Sequence, residues 1–187
     1  MKKIIKFIAD LLFPIYCLSC KKEGQWLCDY CLNNINDFSY NNKLLARAIH
    51  LYKYQFIKDL AKPLGKLLAK KALNLNYDLI VPVPLHQKRL RWRGFNQAEL
   101  LAKEIDPAKT INALIKIKNT KAQMRLAKEK RIFNVRDCFV CQDNRVKDKI
   151  ILLVDDVKTT GSTLKECSRI LKQAGVKKVI PLTLLET

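Results

Sequence analysis

No stretch of the 187 residues approaches the roughly 20 apolar positions a helix needs to cross a bilayer, so the sequence offers no membrane-spanning helix. Acidic residues are also scarce: 17 Asp and Glu stand against 36 Lys and Arg, for a net charge of +19. The deficit is concentrated between Asn42 and Arg136, where 22 basic residues face 6 acidic ones. Such an excess favours polyanions as partners, through a salt-dependent term without sequence preference. Because 27 of the 36 cations are Lys, a merely solvated lysine-rich surface is the competing reading. Histidine is nearly absent; His50 has no paired ligand or acid and reads as a surface or packing residue. No residue stands out as a general base.

A processing signal is missing as well. Residues Met1 to Phe13 have the basic start and apolar run of a secretory leader, but Lys6 and Asp10 interrupt the run and no small-residue cleavage site follows. Ile4, Ile5, Ile8, Leu11 and Leu12 share one helical face, so the expectation is an amphipathic helix packed on the rest of a cytoplasmic protein.

Two features are strongly present. The first is Cys17-Leu-Ser-Cys20 and Cys28-Asp-Tyr-Cys31, two C-x2-C knuckles whose four thiolates can surround one tetrahedral Zn2+. Paired disulfides or free thiols are the competing readings, and a reducing compartment argues against the disulfides. With four sulfur ligands no position stays open for catalysis, so the metal would hold structure, with Trp26, Leu27 and Tyr30 packing the finger on its neighbours. Cys138 and Cys141 repeat the spacing without a second knuckle and read as buried cysteines; Cys167 reads as packing. The polar run Asn33 to Asn42 reads as a link, which divides the chain into a finger unit, 1–40, and a main domain, 41–187. Leu44 to Tyr54 fits a strand or a helix. Ile57 to Ala72 predicts a helix with Pro63 near its first turn.

The second feature is Ile150-Ile-Leu-Leu-Val154, an apolar run that reads as a strand buried on both faces and ends in Asp155 and Asp156. Val157, Lys158, Thr159, Thr160, Gly161, Ser162 and Thr163 follow as a loop. Leu164, Cys167, Ile170, Leu171 and Ala174 then recur at helical spacing, with Gly175 as terminator. A helix N-terminus reached through such a loop collects free backbone N–H groups, while the aspartates, expected on the same crevice, accept hydrogen bonds from sugar hydroxyls. The ligand satisfying both is a sugar carrying a phosphate, with Lys158 adding a cation beside it. Val154 to Thr163 resembles the 5-phosphoribosyl 1-pyrophosphate (PRPP) signature of type I phosphoribosyltransferases.

A second strand, Asp78-Leu-Ile-Val-Pro-Val-Pro84, leaves its sheet at the prolines and enters a basic loop opening a helix. In that loop Lys88, Arg89, Arg91 and Arg93 suit a pyrophosphate or a nucleic-acid backbone, and Trp92 either stacks on a base or covers the core. Val81-Pro-Val-Pro-Leu85 followed by Arg93-Gly-Phe-Asn-Gln-Ala98 resembles the ComF family of phosphoribosyltransferase-like competence proteins. The four-cysteine finger and Thr120, Gln123, Arg131 and Asn134 belong to the same pattern, with Lys118 where arginine is expected.

Strands at 78–83, 113–118, 150–155 and 177–184 with intervening helices predict an α/β fold. With the resemblance, this implies a parallel-sheet, type I phosphoribosyltransferase-like domain with a small N-terminal four-cysteine zinc finger. The resemblance implies PRPP binding with Mg2+ and a role in natural transformation. Asp155 and Asp156 would hold the ribose and serve as catalytic carboxylates, Val157 to Thr163 would hold the 5′-phosphate, and Lys88, Arg89, Arg91 and Arg93 the pyrophosphate. Three functions are compatible: an active transferase that displaces pyrophosphate at the anomeric carbon; a PRPP sensor that binds single-stranded DNA through Arg89, Arg91, Trp92 and Arg93; and a scaffold docking a helicase or DNA-uptake partner.

Overall fold

The computed structural model describes residues 14–39, 41–119 and 135–186. The expected helix over 1–13 and the positions Thr120, Gln123, Arg131 and Asn134 lie outside them.

Strand β4 (Ile150–Lys158) is the central strand of a parallel sheet, between β1 (Leu79–Pro82) and β5 (Lys178–Glu186). Its register pairs Val154 with Pro82 on one side and Leu182 on the other. Residues 109–111 extend the sheet beyond β1, where Ile80 donates to the Lys109 carbonyl at 2.8 Å and accepts from Ile111 at 2.9 Å. A centre strand needs apolar side chains on both faces, which is why its run does not alternate. Leu152 and Val154 pack against α3 (Ala61–Ala72) and α5 (Gln97–Ile105); Ile151 and Leu153 pack under α6 (Ser162–Gln173). Pro181 is tolerated in β5 because that strand has β4 on only one side.

The order of chain segments is α1 (Asp29–Asn33), α2 (Lys43–Tyr54), α3, β1, α4 (Gln87–Arg93), α5, β2 (Leu114–Lys116), β3 (Phe139–Cys141), β4, α6 and β5. The undecided segment is therefore helix α2, started by Asn42, whose side chain accepts from Leu45 N at 3.0 Å. Helices α3 and α5 pack so closely that a Cβ on Gly65 would collide with the Glu104 Cβ. Helix α6 closes in the expected way: Gly175 at φ +85 lets Val176 N reach the Leu171 carbonyl at 3.2 Å.

Three expectations about the strands and helices change. The run at 113–118 does not join the parallel sheet; its central three residues pair antiparallel with β3 in a separate two-stranded sheet. Strand β4 does not stop at the aspartates but continues through Val157 and Lys158, held by β5 partners Leu185 and Glu186. Residues 87–93 form a short helix rather than a loop, ended by Gly94 at φ +79.

Leu27, Leu32 and Ile35 from the finger join the same apolar cluster as α2 and α3, with Trp26 packed against it. Tyr30 does not pack, as it is 75% exposed. Cys167 and Cys138 are buried, as expected, with Cys141 partly so.

Candidate functional site

The carboxyl end of β4 collects the chemistry. Successive residues of a strand project to opposite faces, so Asp155 follows Ile151 and Leu153 while Asp156 follows Leu152 and Val154. The expected pair is thereby divided. Asp156 is buried and its Oδ1 accepts from Lys53 Nζ of α2 at 2.8 Å. Asp155 is partly buried and accepts the backbone N–H of Asp156 at 2.8 Å. Burial, and then the Asp156 charge, push the Asp155 carboxyl up to about 7, with Lys53 opposing. A carboxyl in that range exchanges a proton readily at neutral pH, a property the sequence did not display.

Two lysines unremarked in the sequence serve these carboxylates. Burial alone would lower Lys53, but Asp156 and Asp155 outweigh it and hold the ammonium above its ordinary value. Lys116 of β2, over the Phe139 ring at 5.3 Å, is pulled down by burial and by Arg89, with Asp155 opposing.

The Arg93-to-Ala98 motif has a local physical basis. Gly94 ends α4, Asn96 caps α5 by accepting from Ala98 N at 3.2 Å, and its amide donates to the Val83 carbonyl at 3.1 Å, which ties α5 to the end of β1. Arg93 Nη1 donates to Gln97 Oε1 at 2.6 Å. The Tyr52 hydroxyl donates to the Gln97 carbonyl at 2.9 Å, so α2 is fastened at the same point. Arg93 Nε and Gln97 Nε2 are buried without a hydrogen-bond partner among the described residues.

The four basic residues of the 88–93 run do not converge on one point. Arg89 and Arg93, four apart on α4, share a partly buried face, whereas Lys88 and Arg91 are exposed. Trp92 is 73% exposed, and its ring meets Phe56 edge-on at 4.9 Å while Arg93 lies 5.4 Å from the Phe56 ring. It does not cover the core.

Beyond β4, Gly161 adopts φ +68 as the residue before α6 and supplies no capping side chain. The Thr160 and Ser162 hydroxyls lie 3.0 Å apart, Thr159 is exposed and Thr163 is partly buried. Lys158 Nζ bonds Glu186 at 2.9 Å, so its charge is shared with the edge strand. A cavity of about 470 Å³ opens beside the loop between Thr160, Ser162, Arg136 and Arg169. Glu166 on its wall is satisfied by Arg169 at 2.7 and 2.9 Å and by Asp137 N at 2.8 Å.

In the finger the sulfur atoms of Cys17, Cys20, Cys28 and Cys31 all lie within 4.8 Å of one another, with Cys20 and Cys28 at 3.5 Å. A tetrahedral zinc bound at about 2.3 Å sets sulfur separations near 4 Å, so this donor set fits the metal. Burial raises the Cys17 thiol, but backbone N–H groups of Cys28, Ser19 and Cys20 bring it down to about 6. At Cys20 the backbone N–H of Lys22 lowers the thiol, whereas the neighbouring thiols of Cys28, Cys31 and Cys17 push it up to about 11.

Residues 92–187 match the family model described as the phosphoribosyl transferase domain. Competence protein F of Haemophilus influenzae is 31% identical, over 89% of this chain and 82% of that protein. The chain belongs to the ComF family. Two further relatives are competence protein ComFC of Bacillus subtilis and DNA utilization protein YhgH of Escherichia coli. They are 30% and 31% identical over 76% and 72% of this chain, and the match spans 59% and 64% of their own lengths. In this ComF-family chain the domain match begins within α4 and takes in β4, the loop and α6, while the four cysteines precede it. Among the described residues no helix is long and apolar enough to cross a membrane.

Proposed function

We propose that this ComF-family protein binds PRPP together with Mg2+, carries a structural Zn2+ on Cys17, Cys20, Cys28 and Cys31, and acts on single-stranded DNA during DNA uptake. The junction from β4 to α6 carries the reading: two carboxylates, then a left-handed Gly161 that opens α6 with no capping side chain of its own. In it Asp155 and Asp156 hold the ribose hydroxyls, and Val157 to Thr163 take the 5′-phosphate. Lys88, Arg89, Arg91 and Arg93 are assigned to the pyrophosphate, Arg89 and Arg93 from the partly buried face of α4. Mg2+ arrives with the pyrophosphate, whose hard oxygens it prefers, and offsets the charge. Calorimetric titration with PRPP and Mg2+ tests the reading: the wild type binds and Asp155→Ala/Asp156→Ala does not. Heat from neither protein removes it.

The DNA role draws on the names of the competence and DNA utilization relatives. It draws also on Trp92 and Phe56 beside Arg91 and Arg93, an arrangement of aromatic faces and cations suited to unpaired bases and their phosphates. A second reading, an active phosphoribosyltransferase, is favoured by Asp155, whose carboxyl near 7 suits proton transfer to or from an acceptor. Release of pyrophosphate from PRPP in the presence of a nucleobase would establish it, and the absence of release with every base would remove it.

A further inference from the structure

Asp156 sits on the inner face of β4 with almost no solvent contact, 5% exposed. A carboxylate in such a place needs a counter-charge, or it takes up a proton and ceases to be a pure acceptor. The counter-charge comes from outside the strand–loop–helix signature. Lys53 Nζ reaches Asp156 Oδ1 at 2.8 Å from the last turn of α2, 103 residues away in sequence. Helix α2 precedes the region matched by the phosphoribosyl transferase model. Its position is fixed independently of that ion pair, because Tyr52 is fully buried, its ring lies 5.8 Å from Phe95, and its hydroxyl bonds the Gln97 carbonyl.

We propose that Lys53 is a positioning residue of the sugar-phosphate site, which holds Asp156 as an oriented carboxylate so that it can accept hydrogen bonds from the ligand. The proposal rests on the PRPP reading above. The charged and titratable groups facing Asp156 are Lys53 and Tyr52 from α2, Arg93 from α4 and Asp155 from its own strand. Arg93 is already bonded to Gln97 and Tyr52 to a carbonyl, while Asp155 adds like charge. Lys53 is the cation in contact with Asp156.

The test compares PRPP–Mg2+ affinity of wild type, Lys53→Met and Lys53→Arg at about pH 8.5 and about pH 6. Ligand phosphates titrate in all three proteins and cancel in ratios to wild type; because Lys53 also opposes the upward push on Asp155, the comparison is made in an Asp155→Asn background as well, which removes that carboxyl. Without its ammonium the buried carboxylate has no counter-charge, which favours its neutral form. The Lys53→Met ratio should therefore fall about tenfold from the higher to the lower pH, while the Lys53→Arg ratio stays level. A Lys53→Met ratio that does not change with pH overturns the proposal, since loss of helix anchoring alone gives a pH-independent defect. If Lys53→Met does not fold, Lys53→Gln, which keeps a hydrogen bond and discards the charge, carries the same comparison. A wild type that shows no PRPP binding overturns the PRPP reading and this proposal with it; binding with parallel pH profiles overturns this proposal alone.

Discussion

Asp155 Oδ1 accepts the backbone N–H of Asp156 at 2.8 Å, and the two adjacent carboxylates lie on opposite faces of β4 in different electrostatic surroundings. Asp156 has an ammonium in contact; Asp155 is raised to about 7 by burial and by its neighbour's charge. Environments that separate two carboxyl groups in this way let one remain an acceptor while the other exchanges protons.

The raised carboxyl makes stability depend on pH. The folded state holds a proton on Asp155 that the unfolded chain, with its ordinary value of 3.8, releases earlier. Asp155 therefore costs nothing at low pH, and its cost grows as pH rises from about 4 to about 7, where it is complete. Asp155→Asn should match wild type in urea unfolding near pH 4 and exceed it near pH 8, by on the order of 4 kcal/mol. Equal stability of the two proteins at the higher pH would contradict the assignment.

The finger shares its core with the helix that carries Lys53, through Leu27, Leu32 and Ile35 against the α2 and α3 cluster. Metal content by elemental analysis should be one zinc per chain, lost in Cys28→Ser. Because folding and metal binding are coupled, stripping the metal should lower the melting temperature by about 10 °C. PRPP affinity should fall with it, through α2. A metal-free protein with unchanged melting would remove the zinc site.

Gly161 is the position where backbone conformation and ligand approach coincide. A Cβ there meets Lys158 only at ordinary contact distance, 3.7 Å, so space is not the obstacle. The obstacle is φ +68, which costs an L-residue about 1 kcal/mol. Gly161→Ala should therefore unfold with about that loss and bind PRPP at least tenfold more weakly, because the new methyl stands in the loop proposed to receive the phosphate.

Trp92 and Arg91 are exposed on α4, so their replacement should not disturb folding. Binding of labelled single-stranded DNA should weaken steeply with salt. Trp92→Ala should lower affinity about tenfold at every salt concentration, and Arg91→Ala should reduce the salt slope by about one. A flat salt response would exclude the DNA role.

Much of the site was legible because its physics is local. The apolar run of β4, the glycine before α6, and the paired knuckles each carry their signal within about fifteen residues. What was missed depends on contacts distant in sequence. Lys53 is one lysine among 27, and only the packing of Tyr52 against α5 brings it to Asp156. Lys116 stands on a three-residue strand, too short to announce whether its partner is parallel or antiparallel, and the same brevity placed β2 in the wrong sheet. The length of β4 was underestimated because polar residues read as the end of a strand, although β5 continues to pair with them. Tyr30 was expected to pack because it is aromatic, yet Leu32, two residues on, takes the inward position.

The central claim is that PRPP is held through its 5′-phosphate at the Gly161 loop, and phosphorus NMR of PRPP with Mg2+ tests it most directly. On addition of wild-type protein, the 5′-phosphate resonance should shift and broaden as the bound fraction grows. The same amount of Gly161→Ala protein should leave it near its free position. A 5′-phosphate signal unchanged by excess wild-type protein, or perturbed equally by both proteins, would contradict the account.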